Sequence, residues 1–181
     1  MHVIETTLPG VLVLEPRVFE DTRGFFFESY NQRVFQERTG LSPRFVQSNH
    51  SHSRKNVLRG LHYQIARPQA KLVRVVAGAV FDVAVDLRRS SSAFGRWTGT
   101  PLSAENRRLA WIPEGFAHGF LVLSDSADIL YEISDYYAPQ HERCVLWSDP
   151  EIGIEWPLTG DALLTAKDRA GVLLRDAETF A

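Results

Sequence analysis

The sequence predicts an all-β fold, and among all-β architectures it favours a jelly-roll barrel or sandwich. About nine or ten short runs of alternating or apolar residues lie between turn signals, and long helices are absent. The chain has 181 residues, of which 44% are hydrophobic, so a single domain over residues 1–181 can bury a sizeable core. A jelly roll is preferred because the mouth of its barrel can hold a ligand.

The first half of the chain is divided by clear turn and helix-end signals. Pro16 indicates a bend or a sheet edge within the first run, and the DTRG stretch at 21–24 predicts a turn. Val34 and Phe35 stand at helical spacing with Arg38, and Gly40 suits a helix C-terminus. The predicted elements are strands over 11–19, 24–30, 44–51 and 57–64 and a short helix over 31–40.

The second half alternates between apolar and polar residues with the period of strands. Residues 71–88 predict two strands around a turn at Ala77-Gly78, and IPEG divides 107–124 into two more. Further strands are predicted over 95–103, 127–137 and 144–150, with loop and short helix in the C-terminal tail. Two sets of residues are predicted to share one face of their strand: Phe81, Val83, Val85 and Leu87 in one, and Ile129, Tyr131 and Ile133 in the other.

Charge and cysteine content limit the possible partners and compartments. The net charge of −2 gives no broad attraction to nucleic acid or to an anionic membrane. Cys144 is the only cysteine, so no internal disulfide can form, which fits a reducing compartment. The start MHVIETTLPG has neither a basic segment nor a long apolar one, and no run of about 18 apolar residues occurs. We therefore expect a cytoplasmic protein.

Several polar groups are embedded in the strand-like runs. A barrel interior that contains charge needs a ligand or a complete set of internal partners. Each residue alone is most simply explained as a structural or solvated side chain, whereas the set together suggests a site. The set is Gln47, Asn49, Arg59, His62, Lys71, Arg74, Asp82, His118, Tyr131 and Glu132.

Three kinds of site fit these residues. His50 and His52, two apart on a strand, point the same way and could hold a metal ion, although the next acidic residue along the chain is Asp82. A proton-transfer site could use a histidine as base, a lysine for an oxyanion and Tyr131 as acid. A sugar- or nucleotide-binding barrel without turnover could use the aromatic side chains and arginines. The residue types alone leave all three open.

Longer sequence motifs favour one of these three kinds of site. The stretches RGFFFES, VLRGLHYQ, QAKLVRV, FDVAVDLRRSSSAFG, WIPEGFAHGF and AKD resemble those of the dTDP-4-dehydrorhamnose 3,5-epimerase family, from about residue 3 to about residue 170. The resemblance implies a metal-free, cofactor-free cupin jelly roll that forms a homodimer. It implies an isomerase of dTDP-L-rhamnose biosynthesis that converts dTDP-4-dehydro-6-deoxy-D-glucose to dTDP-4-dehydro-L-rhamnose.

The resemblance also implies roles for individual residues. His62 matches the general base, Asp168 its carboxylate partner, Tyr131 the proton donor, and Lys71 a residue at the C4 oxygen of the sugar. Arg23, Phe26 and Glu28 match a segment that reaches the nucleotide of the neighbouring subunit. The remaining substrate-binding matches are Gln47, Asn49, Arg59, His118, Tyr137, Glu142 and Lys167.

Three details accompany the resemblance. Ser48 stands where the family usually has Asp, and His52 where it usually has Arg or Lys, which weakens the metal interpretation. Arg59 and His62 have opposite parity yet both match ligand contacts, so we predict a bulge or twist at Gly60. Two alternative functions remain: an epimerase acting at C3 or C5 alone, and a sugar-nucleotide-binding cupin without catalysis.

Overall fold

A computed structural model describes residues 1–181 as thirteen β-strands, two α-helices and two short 3₁₀ turns. The two helices are α1 (Gln32–Thr39) and α2 (Ala166–Arg169), and the 3₁₀ turns cover Pro139–His141 and Leu174–Asp176. The strands are β1 (His2–Glu5), β2 (Leu12–Glu15), β3 (Val18–Asp21), β4 (Gly24–Phe27), β5 (Gln47–Arg54), β6 (Leu58–Gln64), β7 (Lys71–Ala77), β8 (Ala79–Asp86), β9 (Trp97–Ser103), β10 (Leu109–Ile112), β11 (Phe116–Val122), β12 (Ser126–Ile133) and β13 (Glu142–Cys144).

Two antiparallel sheets form the body of the protein. Six strands follow the order β1-β2-β10-β7-β12-β5, and five follow the order β13-β6-β11-β8-β9. Strands β3 and β4 pair only with each other, as a separate hairpin. The largest buried apolar cluster takes residues from both sheets, including Val73 and Ile129 from one and Val80 and Phe120 from the other. The predicted all-β architecture is confirmed, with more strands than the sequence indicated.

Successive side chains of β8 point to opposite faces of the five-stranded sheet, and an apolar cluster packs on each face. Val83, Val85 and Leu87 pack with Phe81 in a second cluster, together with Ile152 and Leu174 from the C-terminal segment and other residues. The side chain of Val80 packs in the cluster between the sheets instead. The predicted shared face is therefore confirmed, because strand residues two apart point to the same side.

Local capping explains why the predicted helix forms where it does. The side chain of Asn31 accepts hydrogen bonds from the backbone amides of Arg33 and Val34 at the start of α1. Gly40 ends the helix with φ of 74°, in the left-handed region that favours glycine. Phe35 is fully buried and meets Trp111 edge-to-face, so α1 packs against the six-stranded sheet. Neither α-helix is long and apolar enough to cross a membrane.

The strand predictions fail at several places. The run predicted over 11–19 divides into β2 and β3, and the strand predicted over 127–137 ends at Ile133. Strand β1 was not predicted, and the strand that starts at Gly24 ends at Phe27 rather than at 30. The strand predicted over 144–150 is wrong, because β13 ends at Cys144 and Val145 makes only an isolated bridge to Val172. The backbone then turns around Asp149, whose carboxylate accepts hydrogen bonds from the amides of Glu151 and Leu174. Val145 of this stretch packs in the second cluster from outside any strand.

Candidate active site

A cavity of about 350 Å³ opens between the two sheets. Both sheets contribute to it: β5, β7 and β12 line one side, and β6 and β11 line the other. Most of the predicted site residues line this cavity, namely Gln47, Asn49, Arg59, His62, Lys71, His118, Tyr131, Tyr137 and Glu142.

A bulge in β6 brings Arg59 and His62 to the same cavity. His118 of β11 pairs with His62, whereas Phe120 pairs with Arg59, so β6 has one more residue than β11 over this interval. Gly60 takes φ of 118°, and a Cβ there would lie 2.6 Å from Cα of Gly119. A glycine is therefore required for the extra residue to fit against β11. The bulge predicted at Gly60 is confirmed.

His62 lies against the buried carboxylate of Asp168. The distance between His62 Nε2 and Asp168 Oδ1 is 2.7 Å, although the alignment of the two groups departs from that of an ideal hydrogen bond. Burial alone would raise the pKa of Asp168, but the interaction with His62 and the hydroxyl of Thr165 outweigh it and hold this pKa well below its usual range. Asp168 is therefore ionised, and Nδ1 of His62 remains as the nitrogen that can accept a proton.

The backbone of α2 fixes the position of Asp168. The Thr165 hydroxyl donates to Asp168 Oδ2 at 2.6 Å, while the Asp168 amide donates to Thr165 Oγ1 at 3.2 Å. These reciprocal contacts form a capping box at the start of the helix. The amide of Gly60 donates to the other carboxylate oxygen at 3.2 Å. The bulge and the helix cap thus hold the carboxylate behind the imidazole.

Lys71 is a buried cation in the cavity wall. Burial lowers its pKa to about 8, although the nearby carboxylate of Asp82 favours the charged form. Asp82 Oδ2 also lies 2.8 Å from His118 Nε2. Burial lowers the pKa of His118 despite this partner. At neutral pH the ammonium of Lys71 therefore supplies positive charge to the cavity beside His62.

Tyr131 faces the cavity from the sheet opposite His62. It lies on β12 with Ile129 and Ile133, as predicted, and all three line the cavity. Burial raises the pKa of its phenol above the ordinary value of 10, so the hydroxyl remains protonated at neutral pH. The cavity thus has an imidazole on one sheet and a phenol on the other.

The rim of the cavity carries a second polar group of side chains. Tyr137 donates from its hydroxyl to Glu142 at 2.8 Å, and Lys167 forms an ion pair with the other oxygen of the same carboxylate. Gln47 donates to Asn49 at 2.8 Å and accepts from the Tyr137 amide at 3.2 Å. Lys167 does not line the cavity itself and reaches it through Glu142.

Comparison with known proteins identifies the family of this chain. The family model described as dTDP-4-dehydrorhamnose 3,5-epimerase matches residues 5–176. The chain belongs to the dTDP-4-dehydrorhamnose 3,5-epimerase family. It is 58% identical to the Pseudomonas aeruginosa protein of that name over 99% of both chains. It superposes with TM-score 0.95 and 48% identity on a Legionella pneumophila 3,5-epimerase in complex with dTDP-4-keto-L-rhamnose, covering 98% of this chain and 94% of that one.

A further structural neighbour in the comparison has a different specificity. The chain matches a 3'-monoepimerase from Streptomyces bikiniensis in complex with dTDP-quinovose with TM-score 0.89 and 35% identity, covering 97% of this chain and 88% of that one. These likenesses confirm the cupin-type jelly roll that the sequence predicted.

Asp168 and Lys167 do not line the cavity but contact two residues that do, His62 and Glu142. Three further predicted site residues of this epimerase-family chain also lie outside the cavity. Arg23, Phe26 and Glu28 lie on or just after the β3–β4 hairpin, which belongs to neither large sheet. Arg23 forms an ion pair with Asp21 at 2.6 Å, and Glu28 accepts a hydrogen bond from Asn31 at 2.9 Å. Phe26 is 70% exposed. Within one chain, these three residues do not line the cavity that holds His62 and Tyr131.

The His50–His52 pair lies on the outer face of β5, away from the cavity. Both rings contact the carboxylate of Asp128, at 2.9 Å from His50 and 3.0 Å from His52. The facing strand β12 supplies this carboxylate, since Asp128 pairs with His52. The sequence does not reveal Asp128 as the partner of these histidines, because it lies 76 residues beyond His52 along the chain.

Sequence reasoning does not assign the partners of two site residues. Asp82 stands out as an embedded charge but not as the partner of His118. Thr165 was not recognised at all, although the pattern Thr165-Ala-Lys-Asp168 is a helix-start signature that indicates a side-chain cap. That pattern predicts that Asp168 is fixed by its own helix.

Proposed function

We propose that this protein is an isomerase that converts dTDP-4-dehydro-6-deoxy-D-glucose to dTDP-4-dehydro-L-rhamnose, with the catalytic roles assigned below. The observation that carries the assignment is the placement of His62 and Tyr131 on opposite sheets of one cavity, with Lys71 in its wall. Inversion of a carbon needs a base on one face of the sugar and an acid on the other. We propose that a single catalytic domain over residues 1–181 provides both.

The substrate ketone makes the reaction possible. The C4 carbonyl acidifies the hydrogens on C3 and C5, because loss of either gives an enolate. His62 Nδ1 takes the proton, and the adjacent carboxylate of Asp168 stabilises the imidazolium that forms. A positioned general base contributes about 10²–10⁴-fold to the rate. The reaction needs no redox cofactor, since the product has the same oxidation level as the substrate.

Lys71 and Tyr131 complete the cycle. The ammonium of Lys71 stabilises the developing negative charge on the C4 oxygen, a contribution of about 10²–10³-fold by analogy with an oxyanion-hole donor. Tyr131 then gives its phenolic proton to the carbon from the opposite face, which inverts the centre. Solvent reprotonates Tyr131 and takes the proton from His62, so the enzyme returns to its starting state. The same cycle acts at C3 and at C5.

The remaining cavity residues are assigned to substrate binding. The guanidinium of Arg59 is positioned by Ser53, which accepts hydrogen bonds from its Nε at 3.0 Å and from one terminal nitrogen at 2.9 Å. We assign Arg59 and Lys167 to the diphosphate or the sugar, and Tyr137 to stacking on thymine at the exposed rim. The further contacts in the proposed set are Gln47, Asn49, His118 and Glu142.

We further propose that the protein acts as a homodimer whose β3–β4 hairpin completes the neighbouring site. Phe19, Phe25 and Phe26 are each more than half exposed on this hairpin. A two-stranded hairpin is marginal by itself, so exposed aromatic residues on it favour contact with another surface. We propose the cytoplasm as the compartment, where the free thiol of Cys144 remains reduced.

A complementation experiment tests the shared site. A cavity variant, His62→Ala, is mixed with a hairpin variant, Phe26→Ala, each inactive or weak alone. If each site combines one cavity with the partner's hairpin, exchanged dimers regain one intact site, about a quarter of wild-type sites in an equal mixture. Activity of the mixture no greater than the mean of the two variants, or a monomer in sedimentation, would contradict the proposal.

The reaction itself is tested by proton NMR of the proposed substrate in D₂O. Wild-type protein is expected to introduce deuterium at both C3 and C5, and His62→Ala to introduce it at neither. Exchange at one carbon only would favour a single-site epimerase, the alternative that the similarity to the Streptomyces bikiniensis monoepimerase supports. Binding of dTDP without any exchange would indicate a binding protein without catalysis.

A further inference from the structure

Cys144, a residue type that binds metal ions, lies beside the pair formed by His62 and Asp168. Cys144 of β13 pairs directly with His62 of β6, so their side chains project to the same face of the sheet. A ring nitrogen of His62, the sulfur of Cys144 and a carboxylate oxygen of Asp168 all lie within 4.8 Å of one another. None of the roles assigned above uses the Cys144 thiol.

The spacing suits a small tetrahedral ion. Zinc bonds of about 2.0–2.3 Å to nitrogen, oxygen and sulfur place tetrahedral ligand atoms about 3.3–3.8 Å apart. His62 and Asp168 are 2.7 Å apart, and no two of the three donor atoms are separated by more than 4.8 Å, which is about 1 Å beyond that range. Side-chain movements below about 1 Å would therefore bring the three donors to one ion.

The donor set selects the type of ion. A thiolate, an imidazole and a carboxylate form a mixed set that suits Zn²⁺ and other thiophilic divalent ions. Mg²⁺ and Ca²⁺ prefer oxygen ligands only and would leave the sulfur unused. Three protein donors leave a fourth position for water. This ligand count resembles that of an open zinc site rather than a closed structural one.

The surroundings hold the donors in place. The side chain of Asp168 is 2% exposed and is fixed by Thr165 and Gly60. His62 Nε2 is buried and has no aligned hydrogen-bond partner, while Cys144 makes only a long contact of 3.6 Å from its sulfur to the Val145 carbonyl. Burial raises the pKa of the Cys144 thiol to about 12, so in the absence of an ion the thiol keeps its proton and a bound ion must displace it.

We propose that the cluster of His62, Cys144 and Asp168 binds Zn²⁺ and that zinc is thereby a reversible inhibitor of this enzyme. Occupation of the imidazole by the ion removes the base from the proton-transfer cycle and separates it from its carboxylate. Binding displaces the thiol proton to solvent and involves no change of oxidation state. The inhibition rests on the proposed function, whereas the binding does not.

The binding is tested first, by a method that does not depend on activity. Co²⁺, a spectroscopic substitute for zinc, is titrated into apo-protein. Wild type is expected to show a thiolate-to-cobalt charge-transfer band in the near ultraviolet that excess Zn²⁺ removes. Cys144→Ser and Cys144→Ala are expected to lack the band. A wild-type protein without the band would overturn the proposal, whether or not the protein is an epimerase.

The inhibition is tested by titration of the exchange reaction with Zn²⁺ in chelator-treated buffer. Wild-type activity is expected to fall and to return on addition of EDTA, with no effect of equal Mg²⁺. Cys144→Ser should remain active. Its inhibition should need a Zn²⁺ concentration at least about tenfold higher, since one ligand is lost. A matched control, the double variant His50→Gln and His52→Gln, removes the other imidazole pair beside a carboxylate and should keep wild-type sensitivity. Equal inhibition of Cys144→Ser and wild type, or loss of sensitivity in the control, would contradict the proposal.

Discussion

The substitution Asp168→Asn isolates the contribution of the buried carboxylate to proton abstraction. Asparagine has nearly the same shape, so the contacts to Thr165 and to the Gly60 amide can persist. The charge beside His62 is lost. If the side chain instead turns its amide nitrogen toward Nε2, it gives up the Gly60 contact, because Nε2 and the Gly60 amide face the same carboxylate oxygen. Donation to Nε2 would favour the tautomer with the proton on Nδ1 and remove the base. We expect slow catalysis in a protein that still folds and binds.

The geometry gives the size of the effect. A unit charge 2.7 Å from the imidazolium contributes about 6 kcal/mol at an effective dielectric constant of about 20. Because the side chain of His62 is 28% exposed, solvent screens part of this charge–charge interaction. Roughly 3–5 kcal/mol of it remains to stabilise the transition state. One factor of ten in rate corresponds to about 1.4 kcal/mol, so kcat should fall about 10²–10⁴-fold.

The same substitution should also reduce stability near neutral pH. The pKa of Asp168 is held below its unfolded value, so the carboxylate stabilises the fold above that unfolded value and the benefit is lost as the pH falls toward the folded one. Loss of the charged partner costs about 1–3 kcal/mol, and Tm should fall by about 3–10 °C in a chain of this size.

The assay is deuterium exchange at C3 and C5 by NMR, with dTDP affinity measured by calorimetry in parallel. The control variant is Asp161→Asn, which changes an exposed carboxylate of the same C-terminal segment and should match wild type. A second variant, Thr165→Val, removes one hydrogen bond from Asp168 and should reduce kcat by less than Asp168→Asn does. The reasoning is refuted if Asp168→Asn exchanges both positions within a few-fold of the wild-type rate.

The remaining predictions concern Tyr131, Lys71 and Gly60. Tyr131→Phe should reduce inverted product by about 10²–10⁴-fold but retain exchange at the carbon that His62 deprotonates, and wild-type product formation would contradict its role as acid. Because burial lowers the pKa of Lys71 to about 8, kcat/KM should decline above that pH as the ammonium is lost, and an unchanged rate to pH 9.5 would oppose the assignment. The same group should add to the free energy of unfolding as the pH rises from about 8 to 10.5, since the folded state loses this proton first. Gly60→Ala should lower the free energy of unfolding by about 2–4 kcal/mol, because the new Cβ would lie 2.6 Å from the backbone of Gly119. At Gly40 nothing lies within 4 Å of such a Cβ, so Gly40→Ala should lower it by only about 1 kcal/mol. Thermal denaturation of the two variants measures the difference.

Local patterns were sufficient for much of the fold. The alternation in 71–88, with its turn at Gly78, corresponds to strands β7 and β8, and the polar–apolar pattern around Tyr131 correctly indicated its face. The helix over 31–40 was also predictable, because its cap residues are close in sequence to the turn that they stabilise. By contrast, the apolar residues at 145 and beyond resemble a strand but pack from a loop, since a long-range contact decided their conformation.

The sequence by itself determined the class of fold, the family and the identity of most of the side chains in the site, because alternation and long motifs are properties of neighbouring residues. Tertiary structure alone decided which of these residues meet. Asp168 reaches His62 across more than one hundred residues, Asp82 pairs with His118, and Cys144 lies beside His62. The extra residue at Gly60 moves His62 into the cavity only because β11 pairs with both sides of the bulge. The physical reason is that contact across a sheet depends on strand order and register, which spacing along the chain does not encode.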